Sequence, residues 1–240
     1  MGKRLVWPAA LLVCASCTMF AERPVTASKV AIGMHSPDIQ PIAHREEVPT
    51  RDPLQAASRC LDSGDDAGAT THLCEYLEKK PQHAAIRAHL AELLMRQNRL
   101  TEAKLQFTEY LVLAQQQGSP ADRHLLLCHT RLTELARCEG DEYGEHLYRG
   151  IGLWQLAKQA ERSDVETELE PQQLYIKATK ELKKAIEIRS DDARPYWYLH
   201  EVWCALGQRH PARQALHQAK EFAAISSLTP AEQQDLARTP

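Results

Sequence analysis

Apolar residues recur three and four positions apart along most of the chain beyond residue 52, and polar residues fill the positions between them. Such spacing gives a helix one apolar stripe, whereas the alternation typical of strands is rare here. The period is clearest in residues 192–219, where two helix-length segments meet at Gly207. Scarce glycine and abundant Ala, Leu, Glu and Gln also favour helix. We therefore predict an all-α fold in which residues 192–219 form one helical hairpin.

The hairpin pattern occurs more than once. Gly64 lies at a turn that corresponds to Gly207, and an alanine follows five residues later in both units. Asn98 marks the turn of another unit. Because one hairpin cannot bury its apolar face alone, repeated hairpins must stack on their neighbours. The repeat predicts an α-solenoid of three to four hairpins over residues 53–223.

The spacing within these units resembles the tetratricopeptide repeat (TPR), a helical hairpin of about 34 residues. The resemblance implies small residues where two helices approach closely and large apolar residues beside them. In the last unit the resemblance rests on Tyr196, Leu199, Trp203, Ala212, Leu216 and Ala219, and His200 stands in place of a small residue. In the second unit the resemblance rests on Leu90, Ala91, Leu94, Ala103 and Phe107, and Arg87 and Tyr110 depart from the pattern. The first unit matches more loosely, on Ala56, Ala57, Cys60, Ala69, Leu73 and Pro81.

The middle of the chain is less regular. Residues 121–138 and 142–160 predict two long helices joined by a turn, and residues 171–188 predict a third helix. The helix at 142–160 could close the third hairpin or open the next, and the sequence leaves both open. Residues 162–170 predict a lengthened turn or an irregular junction between repeats.

Three glycines, Gly144, Gly150 and Gly152, lie within the predicted helix at 142–160. Glycine inside a helix costs up to about 1 kcal/mol relative to alanine. We interpret the three glycines as positions where another helix approaches closely, rather than as breaks.

Residues 224–240 predict a C-terminal capping helix and a tail. Thr229 and Glu232 have the spacing of a capping box, and Pro230 fits the first helical position. A short polar helix from Pro230 to Ala237 would cover the exposed face of the last repeat, because the end of a solenoid needs such a cover.

Residues 1–17 have the parts of an export signal, namely a basic start, the apolar run Leu5–Val13 and then small residues. The apolar run is too short to span a bilayer of about 30 Å. The Ala-Ser-Cys sequence that ends at Cys17 resembles the bacterial lipobox, which implies cleavage before Cys17 and lipidation of that residue. Cys14 departs from the pattern, because leucine is usual there. An ordinary cleaved signal, an uncleaved anchor and a chance apolar N-terminus are the alternatives.

Residues 18–52 contain four prolines among polar residues and show no helical period. Such a composition is typical of a disordered tether. Behind a lipid anchor, a tether would hold the helical domain away from the membrane.

Nothing in the sequence marks a known catalytic or cofactor site. The sequence has no glycine-rich phosphate loop and no GxSxG nucleophile elbow. The pairs His124/Cys128 and His200/Cys204 lie one helical turn apart, but two ligands do not make a metal site. A net charge of −3 gives no electrostatic reason to expect nucleic acid. We therefore predict a non-catalytic protein with no cofactor, metal or nucleic acid.

Five cysteines lie beyond residue 17, an odd number at irregular spacing that does not indicate a disulfide framework. Cys60 and Cys74 fall on the two helices of one hairpin and could pair. The favoured interpretation is that the five cysteines are small buried apolar residues.

The TPR resemblance also implies that certain positions of the first helix in each repeat line a concave groove where peptides bind. Trp197 and Glu201 match these positions in the last unit, Glu92 and Arg96 in the second, and His129 in the third. Aromatic residues and arginine are enriched at binding hot spots, which favours Trp197 and Arg96. The alternative is that these side chains only contact the next repeat.

The resulting prediction is a protein–protein interaction scaffold, exported and lipid-anchored in the bacterial cell envelope, with a protein or peptide partner in its groove. One alternative is a helical enzyme, or an accessory subunit of an enzyme, with an unrecognised site. Another is a structural envelope protein that self-associates through uncapped repeat faces.

The lipobox resemblance predicts that the mature protein begins with acylated Cys17. Mass spectrometry of the membrane fraction should find this N-terminus. Cys17→Ala should abolish acylation, whereas Cys14→Leu, which restores the usual lipobox residue, should preserve it. A mature N-terminus at any other residue would contradict the prediction.

Overall fold

Helices joined by turns make up the described part of the chain, which comprises residues 52–116, 122–162 and 170–240 of a computed structural model. These ranges contain ten helices and no strand, and no helix in them has the length and hydrophobicity to cross a membrane. The predicted all-α solenoid of TPR-like hairpins is confirmed. The helices are α1 (Pro53–Asp62), α2 (Asp66–Lys79), α3 (Ala84–Arg96), α4 (Leu100–Gln116), α5 (Asp122–Glu139), α6 (Glu142–Arg162), α7 (Pro171–Ile188), α8 (Ala193–Ala205), α9 (Arg209–Phe222) and α10 (Pro230–Arg238).

Several predicted features lie outside the described residues. They are the export signal with Cys17, the tether apart from Asp52, and residues 163–169 of the junction between α6 and α7.

Four hairpins share one kind of turn. In each, a single residue adopts positive φ: Gly64 (76°), Asn98 (59°), Gly140 (71°) and Gly207 (71°). The next residue then donates its N–H to the carbonyl five positions earlier, at 2.8–2.9 Å, as in a Schellman motif. Glycine and asparagine tolerate this left-handed backbone better than other residues, so all four predicted turns are explained and confirmed.

Small residues are buried at the positions where the sequence predicted close contacts between helices. Ala69, Ala91, Ala103 and Ala219 have no exposed surface, and Ala212 is only 2% exposed. Because a methyl group allows two backbones to approach, larger apolar side chains can fill the space on either side. The small-residue positions that the sequence predicted are therefore the helix contacts of the stack.

Helix α6 packs against two neighbours, α5 and α7. A Cβ atom at Gly150 would lie 2.7 Å from Cγ of Leu182 on α7, and one at Gly152 would lie 3.4 Å from Cβ of His129 on α5. The sequence left open whether this helix closes one hairpin or opens the next. Helix α6 does both, because it pairs with α5 and also with α7. The regular series of two-helix hairpins is therefore interrupted at α6.

A glycine is needed at position 144 for a different reason than at the other two glycines of α6. Asp141 caps the helix, and its Oδ1 accepts a hydrogen bond of 2.9 Å from the Gly144 N–H. A Cβ atom at Gly144 would lie 2.4 Å from Oδ2 of Asp141. The interpretation of Gly144 as a contact with another helix was therefore incomplete, because the capping carboxylate occupies most of that space.

Polar side chains also join the hairpins. Gln97, at the end of α3, donates from Nε2 to the carbonyl of Asp66 (2.9 Å) and to Oγ1 of Thr70 (2.7 Å) in the first hairpin. Tyr143 of α6 donates to Oδ2 of Asp192, which caps α8, at 2.7 Å. These bonds satisfy polar groups where one hairpin meets the next.

All five cysteines in the described ranges are free, so Cys60 and Cys74 do not pair. The interpretation of these residues as buried apolar groups is correct for Cys128. It is wrong for the exposed residues Cys74, Cys138 and Cys204, which lie on the outward faces of their helices.

Substitution by alanine should have opposite effects at Gly150 and Gly152 of α6. Gly150→Ala should lower the free energy of unfolding by about 1–2 kcal/mol, because overpacking against buried Leu182 outweighs the gain in helix propensity. Gly152→Ala should raise it by up to about 1 kcal/mol, because its Cβ would make an ordinary contact. Chemical denaturation measures both values, and equal effects at the two positions would contradict this account of α6.

Candidate partner-binding surface

The first helices of the hairpins are linked across the surface where the sequence predicted a groove. Arg131 on α5 donates from Nε to Oε1 of Glu92 on α3 at 2.9 Å, and from Nη1 to Oε2 of Glu134 at the same distance. The side chain of Glu92 is 35% exposed, so this ion pair lies at the surface. The structure thus places Glu92 at the junction of α3 and α5.

Arg96, at the end of α3, is the most accessible of the predicted groove residues. Its side chain is 58% exposed and forms an ion pair with Asp66 on α2, with an Nη2–Oδ1 distance of 3.1 Å. An exposed ion pair of this kind contributes at most about 1 kcal/mol. Arg96 can therefore exchange Asp66 for another anionic group at low cost.

Trp197, which the sequence analysis assigned to the groove, is buried. Only 6% of its surface is accessible, and its ring stacks on His200 with a centroid distance of 5.6 Å. Trp197 and Glu201 line a cavity of about 250 Å³ together with residues of α10. Helix α10 therefore lies over this part of the surface, and a partner-binding role for Trp197 and Glu201 stays a prediction.

His129 is also buried, at 6% exposure, and its Nδ1 has no hydrogen-bond partner among the described residues. Burial, and then the charge of Arg194, lower the pKa of His129 from 6.5 to about 4. The ring is therefore neutral at physiological pH. It lines the cavity beneath α10 and a second cavity between α5 and α6.

An open apolar cavity of about 180 Å³ lies between α3, α4 and α5; we call it the α3–α5 cavity. Leu127 stands at its edge and is 48% exposed. This site was not predicted from the sequence, although Leu127 falls outside the buried stripe of α5 and could have signalled a surface role. The lining residues are Ala85, Ala88, His89, Glu92, Phe107, Tyr110, His124, Leu127 and Cys128.

Helix α10 has the capping box that the sequence predicted. The Thr229 hydroxyl accepts from the Glu232 N–H at 3.2 Å, and the Glu232 carboxylate accepts from the Thr229 N–H at 2.8 Å. The packing of α10 extends beyond the last repeat. Lys220 on α9 donates to the Thr239 carbonyl at 2.6 Å, but the Thr229 hydroxyl also donates to Oε1 of Gln115 on α4 at 2.7 Å.

The two His/Cys pairs have ordinary surroundings. His200 contacts the carbonyl of Ala212 through Nδ1 at 3.0 Å, and the Cys204 sulfur lies 3.7 Å from its Nε2. Burial, and then the charge of Glu92, raise the pKa of the Cys128 thiol. Within the described ranges, no group of three or more His, Cys, Asp or Glu side chains is arranged to hold a metal ion.

No protein-family model matches the sequence, and a search of curated proteins finds no match. Similar solved structures include a MamA protein, with 15% identity and a TM-score of 0.36 over 73% of this chain and 94% of that chain. TTC0263, a thermophilic TPR protein of Thermus thermophilus, has 18% identity and a TM-score of 0.35 over 77% of this chain and 93% of that one. YrrB, described as a TPR protein with an unusual peptide-binding site, has 12% identity and a TM-score of 0.32 over 71% and 84%. These values are low, so the TPR-like fold of this chain rests on its own helix pairs, turns and buried alanines.

The buried neutral His129 predicts a stability that depends on pH. The unfolded chain takes up a proton near pH 6.5, whereas folded His129 does so only near pH 4. The free energy of unfolding is therefore unaffected by His129 above pH 6.5. It falls as the pH drops from 6.5 to 4, by up to about 3 kcal/mol. His129→Leu should flatten the dependence of the unfolding free energy on pH between 6.5 and 4, and exposed His210→Leu should not. If the unfolding free energy of His129→Leu depended on pH as steeply as that of the wild type, the pH dependence could not be assigned to His129.

Proposed function

We propose that this protein is a non-catalytic scaffold that binds a protein or peptide partner through the face formed by the first helices of its hairpins. The observation that carries the proposal is the α3–α5 cavity, an open apolar hollow beside exposed Leu127. Open apolar hollows with a few polar groups at the rim are the usual form of a binding site.

The chemistry of the cavity indicates what it binds. Ala85 and Ala88 keep the α3 side shallow, while Phe107 and Tyr110 form an apolar floor. A large apolar side chain from a partner would bury itself here, at about 1.5–3 kcal/mol for a leucine or phenylalanine. Glu92, His89 and His124 at the rim supply polar groups that orient the partner backbone. The partner is therefore a segment that presents an apolar anchor flanked by polar residues.

Exposed Arg96 extends this surface along α3. Among the described residues, its guanidinium pairs with Asp66 in a surface ion pair. A partner carboxylate near the apolar anchor would compete with Asp66 for it, since arginine binds carboxylates in a two-pronged geometry. The TPR resemblance supports the same use of Glu92 and Arg96.

The scaffold is also proposed to be exported and lipid-anchored through Cys17, with residues 18–52 between the anchor and α1. The basic start, the short apolar run and the Ala-Ser-Cys sequence support this location. A membrane-tethered scaffold would gather its partner at the envelope surface.

The surroundings of Tyr198, whose pKa is strongly perturbed, favour a scaffold over the helical-enzyme alternative. Burial, and then the charge of Glu232, raise the pKa of Tyr198 well above its usual value. Tyr198, Arg194 and Glu232 satisfy one another across the contact between α8 and α10. Such mutual pairing is the signature of a structural contact, whereas a catalytic group must be able to reach a substrate.

Two exposed leucines allow a matched test of the cavity. Leu127→Arg places a charge at its edge and should reduce partner recovery at least tenfold in crosslinking and affinity capture from intact envelopes. Leu105→Arg is the control, because Leu105 on α4 is 55% exposed and lies away from the cavity. Equal recovery with both variants would remove the α3–α5 cavity from the proposal.

A further inference from the structure

Helix α10 is attached to the rest of the protein by contacts that differ from those between hairpins. It follows α9 in the sequence, yet its side chains reach α8 and α4. The Thr229 hydroxyl bonds to Gln115, a residue 114 positions earlier in the chain. Helix α10 thus lies across the face that the sequence assigned to partner binding.

One buried carboxylate holds α10 in this place. Glu232 is 5% exposed, and its Oε1 accepts from the Tyr198 hydroxyl at 2.9 Å. Its Oε2 accepts from Nε of Arg194 at 3.2 Å and from the N–H of Thr229 at 2.8 Å. Arg194 also donates to the carbonyl of Ser227. Arg194 and Tyr198 therefore form a site on α8 that fits a helix with a carboxylate in its first turn.

Leu236 adds an apolar contact to the hydrogen bonds of Glu232. Leu236 lies four residues after Glu232 and is 3% exposed, so both side chains point from one face of α10 into the protein. Leu236 belongs to the same apolar cluster as Trp197 and Tyr198. The surface on α8 thus recognises one charge and one apolar group, spaced by a single helical turn.

The fit of α10 is incomplete. A cavity of about 250 Å³ lies beside it, and Trp154, Lys158 and Glu201 are among the lining residues. Helix α10 has nine residues, and isolated helices shorter than about 12–15 residues are barely stable in water. We expect a short terminal helix that borders a cavity to be among the parts of a protein that open most readily.

We propose that the surface of Gln115, Arg194, Trp197 and Tyr198 is a receptor for a short amphipathic helix, and that α10 fills it as an internal ligand. The external ligand is a partner protein whose helix carries a capping-box glutamate and a leucine four residues later. Charge complementarity supports that occupant, because Arg194 is mostly buried and needs an anion. This second surface adds to the proposed scaffold and does not depend on the α3–α5 cavity.

A labelled peptide of residues 226–240 tests the proposal with the full chain. Fluorescence anisotropy should show weak binding to the wild-type protein, because α10 occupies the site. Glu232→Ala in the protein should release α10 and tighten peptide binding at least tenfold. Adding Tyr198→Phe, which removes one donor with little change in shape, should weaken binding again.

Matched controls separate the site from general effects. Gln234→Ala changes an exposed residue of α10 and should behave as wild type. A peptide with alanine in place of its glutamate should not bind the Glu232→Ala protein. Leu127→Arg should leave peptide binding unchanged, so failure at the α3–α5 cavity and failure at this surface can be told apart.

Three results would overturn the proposal. The first is a Glu232→Ala protein whose α10 amides lose protection from hydrogen exchange but which binds no peptide. The second is wild-type protein in which α10 amides exchange only by global unfolding, because α10 would then be a fixed part of the fold. The third is a wild-type dimer in sedimentation that Glu232→Ala dissociates, because a second copy would then be the occupant.

Discussion

Close approach of helices at small side chains is the constraint on which this structure depends. At Ala69, Ala103, Ala178 and Ala219 the methyl groups are fully buried, and a larger side chain would hold the helices apart. Each hairpin still leaves an apolar face that only its neighbour can cover, and burial contributes about 25 cal/mol per Å² of apolar surface. Stability therefore comes from stacking. The faces that the stack does not use are free to bind other molecules.

Helix α6 is where this regular scheme changes, since it serves as partner to the helix before it and to the helix after it. Its glycines supply the close contacts that alanines supply elsewhere, with Gly150 toward α7 and Gly152 toward α5. The buried apolar residues form two clusters that divide at this point, one spanning α1–α5 and the other α6–α10. The contact between Thr229 and Gln115 connects the second cluster back to the first.

Local features were predictable from the sequence, and long-range ones were not. Positive-φ turns and small-residue contacts leave local signals, so Gly64, Gly207 and the alanine positions could be assigned. The double role of α6 could not, because glycine has no side chain to mark which face is buried. The burial of Trp197 was also missed, since α10, which covers it, lies far along the chain. Glu232 fitted a capping box, and only the fold shows that the same carboxylate meets Tyr198 and Arg194.

The contact between Thr229 and Gln115 also bears on the order in which the molecule can assemble. Contacts between distant residues carry a large loop-closure cost and form late. The buried residues of the first apolar cluster end at Leu135, so this cluster can form before α10 docks. Docking of α10 comes later, because it needs both α8 and the end of α4 in place. The surface of Arg194 and Tyr198 is therefore the last part of the fold to be covered.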